Sequence, residues 1–101
     1  MAVKCMESEQ GLHAVISGEL DHHHARQVMG ELEQQIDAAL PRHLILDFAQ
    51  LSFTDSSGIA VLIRAFRRMG QLGGTVTVRN TPEQARKVFF AAGLQRMIQF
   101  E

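Results

Sequence analysis

With 101 residues and 11.3 kDa, the chain has room for one hydrophobic core and none for separate catalytic and substrate domains. Hydrophobic residues make up 46% and charged residues 21%, close to the averages of folded chains, so neither disorder nor a coiled coil is the natural reading. Ten Lys and Arg against eleven Asp and Glu leave a formal charge of -1, so no electrostatic surplus drives binding to a phosphate backbone and direct DNA contact is not expected.

The single cysteine, Cys5, cannot form an internal disulfide, and the first residues lack the basic start and apolar run of a secretory signal. A reducing cytoplasm is therefore the expected compartment. No uninterrupted apolar run is longer than Ile59 to Ile63, far short of the roughly 20 residues that cross a bilayer, so no membrane partner is expected. Without Trp or Tyr and with six Phe, the core must be mostly aliphatic, and stacking platforms for single-stranded nucleic acid are scarce.

Val3 to Ser8 and Leu12 to Gly18 read as two short strands joined by a polar link ending in Gly11, an antiparallel pair. From Ala25 the period changes: Ala25, Val28, Met29, Leu32, Ile36 and Ala39 recur at three and four, the mark of an amphipathic helix that ends at Pro41. Asp21 stands where its carboxylate can accept the unpaired amide hydrogens of the first turn. Leu44 to Phe48 is a mostly apolar run suited to a central parallel strand, followed by a loop from Ala49 to Asp55. A second helix is predicted from near Ser57, with Ile59, Leu62, Ile63, Phe66 and Met69 on its apolar face and Arg64, Arg67 and Arg68 opposite. Gly70, Gly73 and Gly74 offer exits through positive φ, and Thr75 to Val78 reads as a strand. Thr81 and Pro82 open a third helix as N-cap and first-turn residue, Ala85, Val88, Phe89 and Ala92 form its buried stripe, and Gly93 closes it. Met97 to Phe100 suggests a last strand. The predicted order is β-β-α-β-α-β-α-β, an α/β domain over residues 1–101 whose sheet is mostly parallel with an antiparallel entry strand.

The segment Phe53-Thr54-Asp55-Ser56-Ser57-Gly58 stands where a strand hands over to a helix, the place where ligands and reactive groups collect in open α/β sheets. Unpaired amide hydrogens there lie at the positive end of the helix dipole and partly compensate an added anion. Ser57 is the candidate acceptor of a phosphate, which brings about 1.5 to 2 negative charges and three acceptor oxygens. The plain alternative is that Asp55, Ser56 and Ser57 only cap the helix. Asp55 is double-edged, since it helps the helix start yet repels a phosphate on Ser57.

Together with Gly18-Glu19-Leu20-Asp21-His22-His23, Gly73-Gly74 and Ala92-Gly93-Leu94, this segment resembles the STAS domain family, in particular its anti-anti-sigma factors of sporulation. The likeness runs from Val3 to Phe100. It implies a mixed sheet with helices mainly on one face and a function by partner exchange. The dephosphorylated protein binds an anti-sigma factor that is also a serine kinase, freeing a sigma factor for transcription. The kinase then phosphorylates Ser57 and a serine phosphatase resets the cycle. The chain is expected to be a monomer when free, with no cofactor and no catalytic turnover of its own, since ATP and magnesium belong to the kinase. The resemblance makes Thr54, Asp55, Ser56 and Gly58 the loop around the phosphoacceptor, and Asp21, His22, Ser56, Ser57, Ile59 and Arg64 the partner surface. Thr54 and Ala60 depart from the larger apolar residue and the glycine of many relatives, and the sequence stops at Glu101 where several relatives continue into a further helix. Within the family, the alternative is a module of general stress signalling or another protein assembly.

Other constellations carry less. Consecutive residues such as His22, His23 and His24 point about 100° apart on a helix, which disfavours convergence on one metal ion. A hydrolase would need a histidine base placed to reach Ser57 and a nucleophile elbow, and neither is present in the sequence. Nucleotide binding lacks a phosphate-cradling glycine motif. Arg64, Arg67 and Arg68 are a solvated helix face or a charged docking edge for an acidic partner.

Overall fold

In the computed structural model, which describes residues 2–101, the chain runs β1 (Ala2–Ser8), β2 (Gly11–Leu20), α1 (Ala25–Ala39), β3 (His43–Asp47), β4 (Leu51–Thr54), α2 (Ser57–Gln71), β5 (Thr75–Arg79), α3 (Glu83–Ala91), a 3-10 turn at Leu94–Arg96 and β6 (Gln99–Phe100). β1 pairs antiparallel with β2, and β2–β3, β2–β4, β3–β5 and β5–β6 are all parallel. The sheet order is β1-β2-β3-β5-β6, with β4 added on β2. The α/β class, the antiparallel entry and the mostly parallel sheet are as the pattern predicts.

One strand is not. The segment expected to be a loop from Ala49 to Asp55 contains β4, so the order is β-β-α-β-β-α-β-α-β. β2 is long enough to carry two partners: Leu12 to Val15 pair with β3, and after a bulge at Gly18/Glu19 the last residues pair with β4, as in Leu20 beside Thr54. β2 thus extends to Leu20, beyond the predicted end at Gly18. Only Leu51 and Thr54 of β4 are buried while Ser52 and Phe53 are exposed, so the strand has no alternation to announce it and exists through a partner some 34 positions upstream (54 - 20).

Alternation does settle which face of β2 is inside. Leu12, Ala14, Ile16 and Leu20 are buried, and they join Leu44, Leu46, Val76 and Val78 of the neighbouring strands in one core with Val28, Leu32 and Ile36 of α1. The inward stripe of α2 is Gly58, Val61, Leu62, Ala65 and Met69, and Ile59, Ile63 and Phe66 are half-buried at its margin. This stripe is rotated relative to the predicted one because α2 packs on α1 as well as on the sheet. Phe48, Phe89 and Phe100 stack in series, with ring centroids 5.8 and 6.2 Å apart.

Three smaller differences follow from local chemistry. Pro82 is the N-cap of α3 rather than a first-turn residue, and the Thr81 hydroxyl finds no partner among the described residues. Ala92 is exposed, since α3 ends at Ala91 and Gly93 turns away with φ 79. The final strand is only Gln99–Phe100, because Leu94 anchors a 3-10 turn ahead of it that leaves Met97 exposed. Phe89 is fully buried between Phe48, Phe100 and the start of α2. Phe89→Ala is expected to cost about 3 to 5 kcal/mol. Urea unfolding measures this, and a loss below about 1 kcal/mol would contradict the placement.

Candidate functional site

Because β2 and β4 are parallel and adjacent, the helices that follow them start side by side. Leu20 and Thr54 are register partners, and the chain leaves both strands in the same direction. Amide hydrogens from two helix starts therefore crowd one edge, and two aspartates collect them.

Asp21 Oδ1 accepts from the amides of His23 and His24, both at 3.1 Å, and the Asp21 carbonyl accepts from Ala25 at 2.9 Å. The sequence places Asp21 at the N-cap, whereas the N-cap of α1 is His24, without a side-chain cap bond, and Asp21 holds the turn just ahead of the helix. Asp55 Oδ1 accepts from the Ser57 amide at 2.7 Å, while its other oxygen accepts from the His22 amide at 3.0 Å. One carboxylate thus caps α2 and ties it to the turn that opens α1. Ser56 has helical φ and ψ and makes no capping bond through its side chain, so the cap belongs to Asp55.

Partial burial pushes the Asp55 carboxyl up, but the hydrogen bonds from the Ser57 and His22 amides outweigh it, and the group lies below the ordinary carboxylate value despite the charge of nearby Asp21. Asp21 is lowered too, desolvation being outweighed by its bonds to the His24 side chain and to the His24 and His23 amides.

Below Asp55 the loop is held from two further sides. The buried Thr54 hydroxyl donates to the Leu20 carbonyl at 2.8 Å, locking β4 to β2 past the end of the ladder. It fits because residue 58 has no side chain: a Cβ on Gly58 would stand 2.1 Å from Thr54 Oγ1 and 3.3 Å from the Phe89 ring. From α3, the Gln84 amide spans the edge of β4, its oxygen accepting from the Thr54 amide at 3.0 Å and its nitrogen donating to the Thr54 carbonyl at 2.8 Å. A side chain here does what a further strand would do, and it closes an edge that would otherwise invite pairing. Gln84 is absent from the sequence-level site because nothing local marks a residue in the first turn of α3 as reaching 30 positions back (84 - 54).

Ser57 lies half-buried at the lip of an open groove of about 630 Å³ between the starts of α1 and α2, whose lining includes His22, His23, Arg26, Met29, Ala60 and Arg64. Of the residues expected at a partner surface, His22, Ser57 and Arg64 line this groove, Asp21 is not among its lining residues and Ser56 is exposed. Ile59 is not in the groove; it is half-buried and packed on the core. Arg64 and Arg68 are not a free basic edge either. Arg64 pairs with Glu33 at 2.6 Å, and the Arg68 Nε donates to Asp37 at 2.8 Å, so both bridge α2 to α1, while Arg67 is exposed. Arg26 and Met29 were not singled out by the sequence because their relevance depends on which helix α1 faces.

The three consecutive histidine rings go different ways. His22 and His23 meet edge to face at 5.5 Å, and His24 Nδ1 lies 2.7 Å from Asp21 Oδ1. Among the described residues no group of three or more His, Cys, Asp and Glu side chains is disposed to hold a metal ion.

Residues 8–101 match the sequence profile of the STAS domain. The chain belongs to the STAS domain family. It is 30% identical over 94 residues to an anti-sigma F factor antagonist of Paenibacillus polymyxa, covering 92% of this chain and 80% of that protein. The structure of the anti-sigma factor antagonist SpoIIAA in its unphosphorylated form superposes with a TM-score of 0.82 at 27% identity, covering 99% of this chain and 88% of that one. SpoIIAA of Bacillus in its phosphorylated form gives 0.74 at 28% identity, covering 99% and 91%. The resemblance carried by the Gly18 to His23 and Phe53 to Gly58 segments is thus a family membership, and the STAS fold is that of this sheet and its three helices.

Two outcomes are expected of the loop. Asp55 has a lowered carboxyl, so the stabilisation it contributes is present above the ordinary carboxylate pKa and is lost as pH falls through its lower folded value. NMR titration should show the His22 and Ser57 amide resonances moving together on that acidic step, and independent midpoints for the two would count against a shared acceptor. Gly58→Ala should destabilise by more than the small helix-propensity gain from alanine, roughly 1 kcal/mol, because the Thr54 hydroxyl has nowhere to go. Thermal unfolding decides the sign.

Proposed function

We propose that this chain, acting over residues 1–101 as one STAS unit, is an anti-sigma factor antagonist controlled by phosphorylation of Ser57, in sporulation. Unmodified, it binds an anti-sigma factor that is also a serine kinase, and the sigma factor that the kinase held is released to direct transcription. Asp21, His22, Ser56, Ser57, the exposed part of Ile59 and Arg64 form the contact surface. Within the complex the γ-phosphoryl group of the kinase's ATP passes to Ser57 Oγ, the hydroxyl proton is lost and ADP leaves. A serine phosphatase hydrolyses the ester and returns the hydroxyl.

The observation that carries this reading is the position of Ser57: its side chain lies at the lip of the groove while its amide is fixed by Asp55. The names of the relatives support it, as does the existence of SpoIIAA structures in both unphosphorylated and phosphorylated forms. Physically, the loop around Ser57 is anchored from β2, α1 and α3, so about 1.5 to 2 added charges change the surface without a partner in the core to lose. Asp55, already negative and close, makes that added charge unwelcome to an apposed protein surface.

A reconstituted mixture of the chain, the kinase and ATP tests the cycle. Wild type should bind and then dissociate as phosphate appears, Ser57→Ala should stay bound after ATP is added, and Ser57→Asp should bind at least about tenfold more weakly from the start. Mass spectrometry should place the phosphate on Ser57. Equal phosphate incorporation into wild type and Ser57→Ala would refute the assignment.

A further inference from the structure

The groove beside Ser57 is cationic in a way that the dephosphorylated protein does not use. Arg26 stands in the first turn of α1, an exposed residue with no ion pair among the described residues. A cation at that end of a helix is opposed by the helix dipole, and the first turn of α1 itself holds no acidic residue, the Asp21 carboxylate lying ahead of it on the His23 and His24 amides. The second arginine of the groove, Arg64, already pairs with Glu33. Arg26 is therefore the guanidinium left with unspent capacity, and it shares the groove wall with Ser57.

We propose that Arg26 is the counter-ion of a phosphate on Ser57, holding it inside the groove between α1 and α2. The inference rests on the reading of Ser57 as the phosphoacceptor. A guanidinium offers planar paired donors suited to phosphate oxygens, and the negative charge at the start of α1 relieves the mismatch between Arg26 and its own helix dipole. Phosphorylation then acts by filling and partly neutralising the groove that a partner would occupy, and not only by spreading negative charge over the surface.

The second ionisation of the phosphoserine reports this contact, because a nearby cation favours the dianion. The other groups facing Ser57 are Asp55 and Asp21, which oppose that ionisation, and His22, His23 and Arg64, which favour it, with Glu33 holding Arg64 and Asp21 holding His24. Phosphoserine is installed at position 57 during translation, so the titration needs no kinase, and phosphorus NMR follows it between pH 4 and 9. In Arg26→Ala the midpoint should rise by about half a unit, the size of a solvent-exposed ion pair, and Arg26→Lys should recover part of it. Arg67→Ala removes the same charge from an exposed site outside the groove and should leave the midpoint nearly unmoved.

Because an imidazole beside the phosphate couples to it, the comparison is repeated in a His22→Asn, His23→Asn background, where the Arg26 effect should persist. An unchanged midpoint in Arg26→Ala, or an equal rise in Arg67→Ala, overturns the proposal. If no kinase modifies Ser57 while the Arg26 effect is found, the functional reading fails and the counter-ion stands. If Ser57 is modified and the effect is absent, the reverse holds.

Discussion

Two helix starts share one carboxylate, and the rest of the site is arranged around that fact. Each α-helix begins with amide hydrogens that no carbonyl within the helix can accept, and burying them without partners is costly. Here two such starts are adjacent, because β2 and β4 lie side by side and point the same way. Asp55 satisfies the first amide of α2 at 2.7 Å and, at 3.0 Å, the His22 amide in the turn that leads into α1, where Asp21 satisfies two more. The relative placement of α1 and α2 at this edge is thus set by hydrogen-bond need, with the Arg64–Glu33 and Arg68–Asp37 pairs adding small, exposed contributions farther along the same interface.

That arrangement depends in turn on a glycine and a threonine that only make sense together. Thr54 is buried with its hydroxyl on the Leu20 carbonyl, and the hydroxyl occupies the space where a Cβ of residue 58 would be. An apolar residue at 54 could not make this bond to Leu20. The chain therefore closes the β2–β4 junction by a polar contact, and Gln84 completes it from α3 by satisfying both backbone groups of Thr54. A side-chain amide in that role makes α3 part of the site although it carries none of the motif.

What could be read in the sequence was what is encoded locally. The helical periods of Ala25 to Ala39 and Ser57 to Gln71 and the left-handed exit at Gly93 depend on residues within one or two turns, so they were legible. The Phe53 to Gly58 motif was legible as a strand-to-helix handover for the same reason. β4 is not legible because its existence depends on β2 having a second half to offer, and its two inward residues, Leu51 and Thr54, are three apart instead of alternating as a strand does. The sequence shows Arg64 as part of a solvated face or docking edge and not its pairing, because its partner Glu33 lies on another helix and charge patterning within one segment cannot reveal a bond between segments. Gln84, Arg26 and Met29 share that fate: each matters through which element it faces.

The same division separates what holds the loop from what the loop presents. The groups that anchor it, Asp55, Thr54 and Gln84, direct their hydrogen bonds mainly to the backbone of Leu20, His22, Thr54 and Ser57, and the Ser57 hydroxyl adds a contact to the Asp55 carboxylate. A change at the Ser57 hydroxyl therefore leaves the backbone anchoring in place, and the free-energy consequence falls on its contact with Asp55, on the groove and on whatever meets it. Such a separation is what a reversible modification requires, since a site whose hydroxyl also supported the fold would lose stability each time it was altered. The groove supplies the other half of the requirement: cations line it, Arg26 with no ion pair among the described residues and Arg64 engaged with Glu33, and an added anion would meet them there.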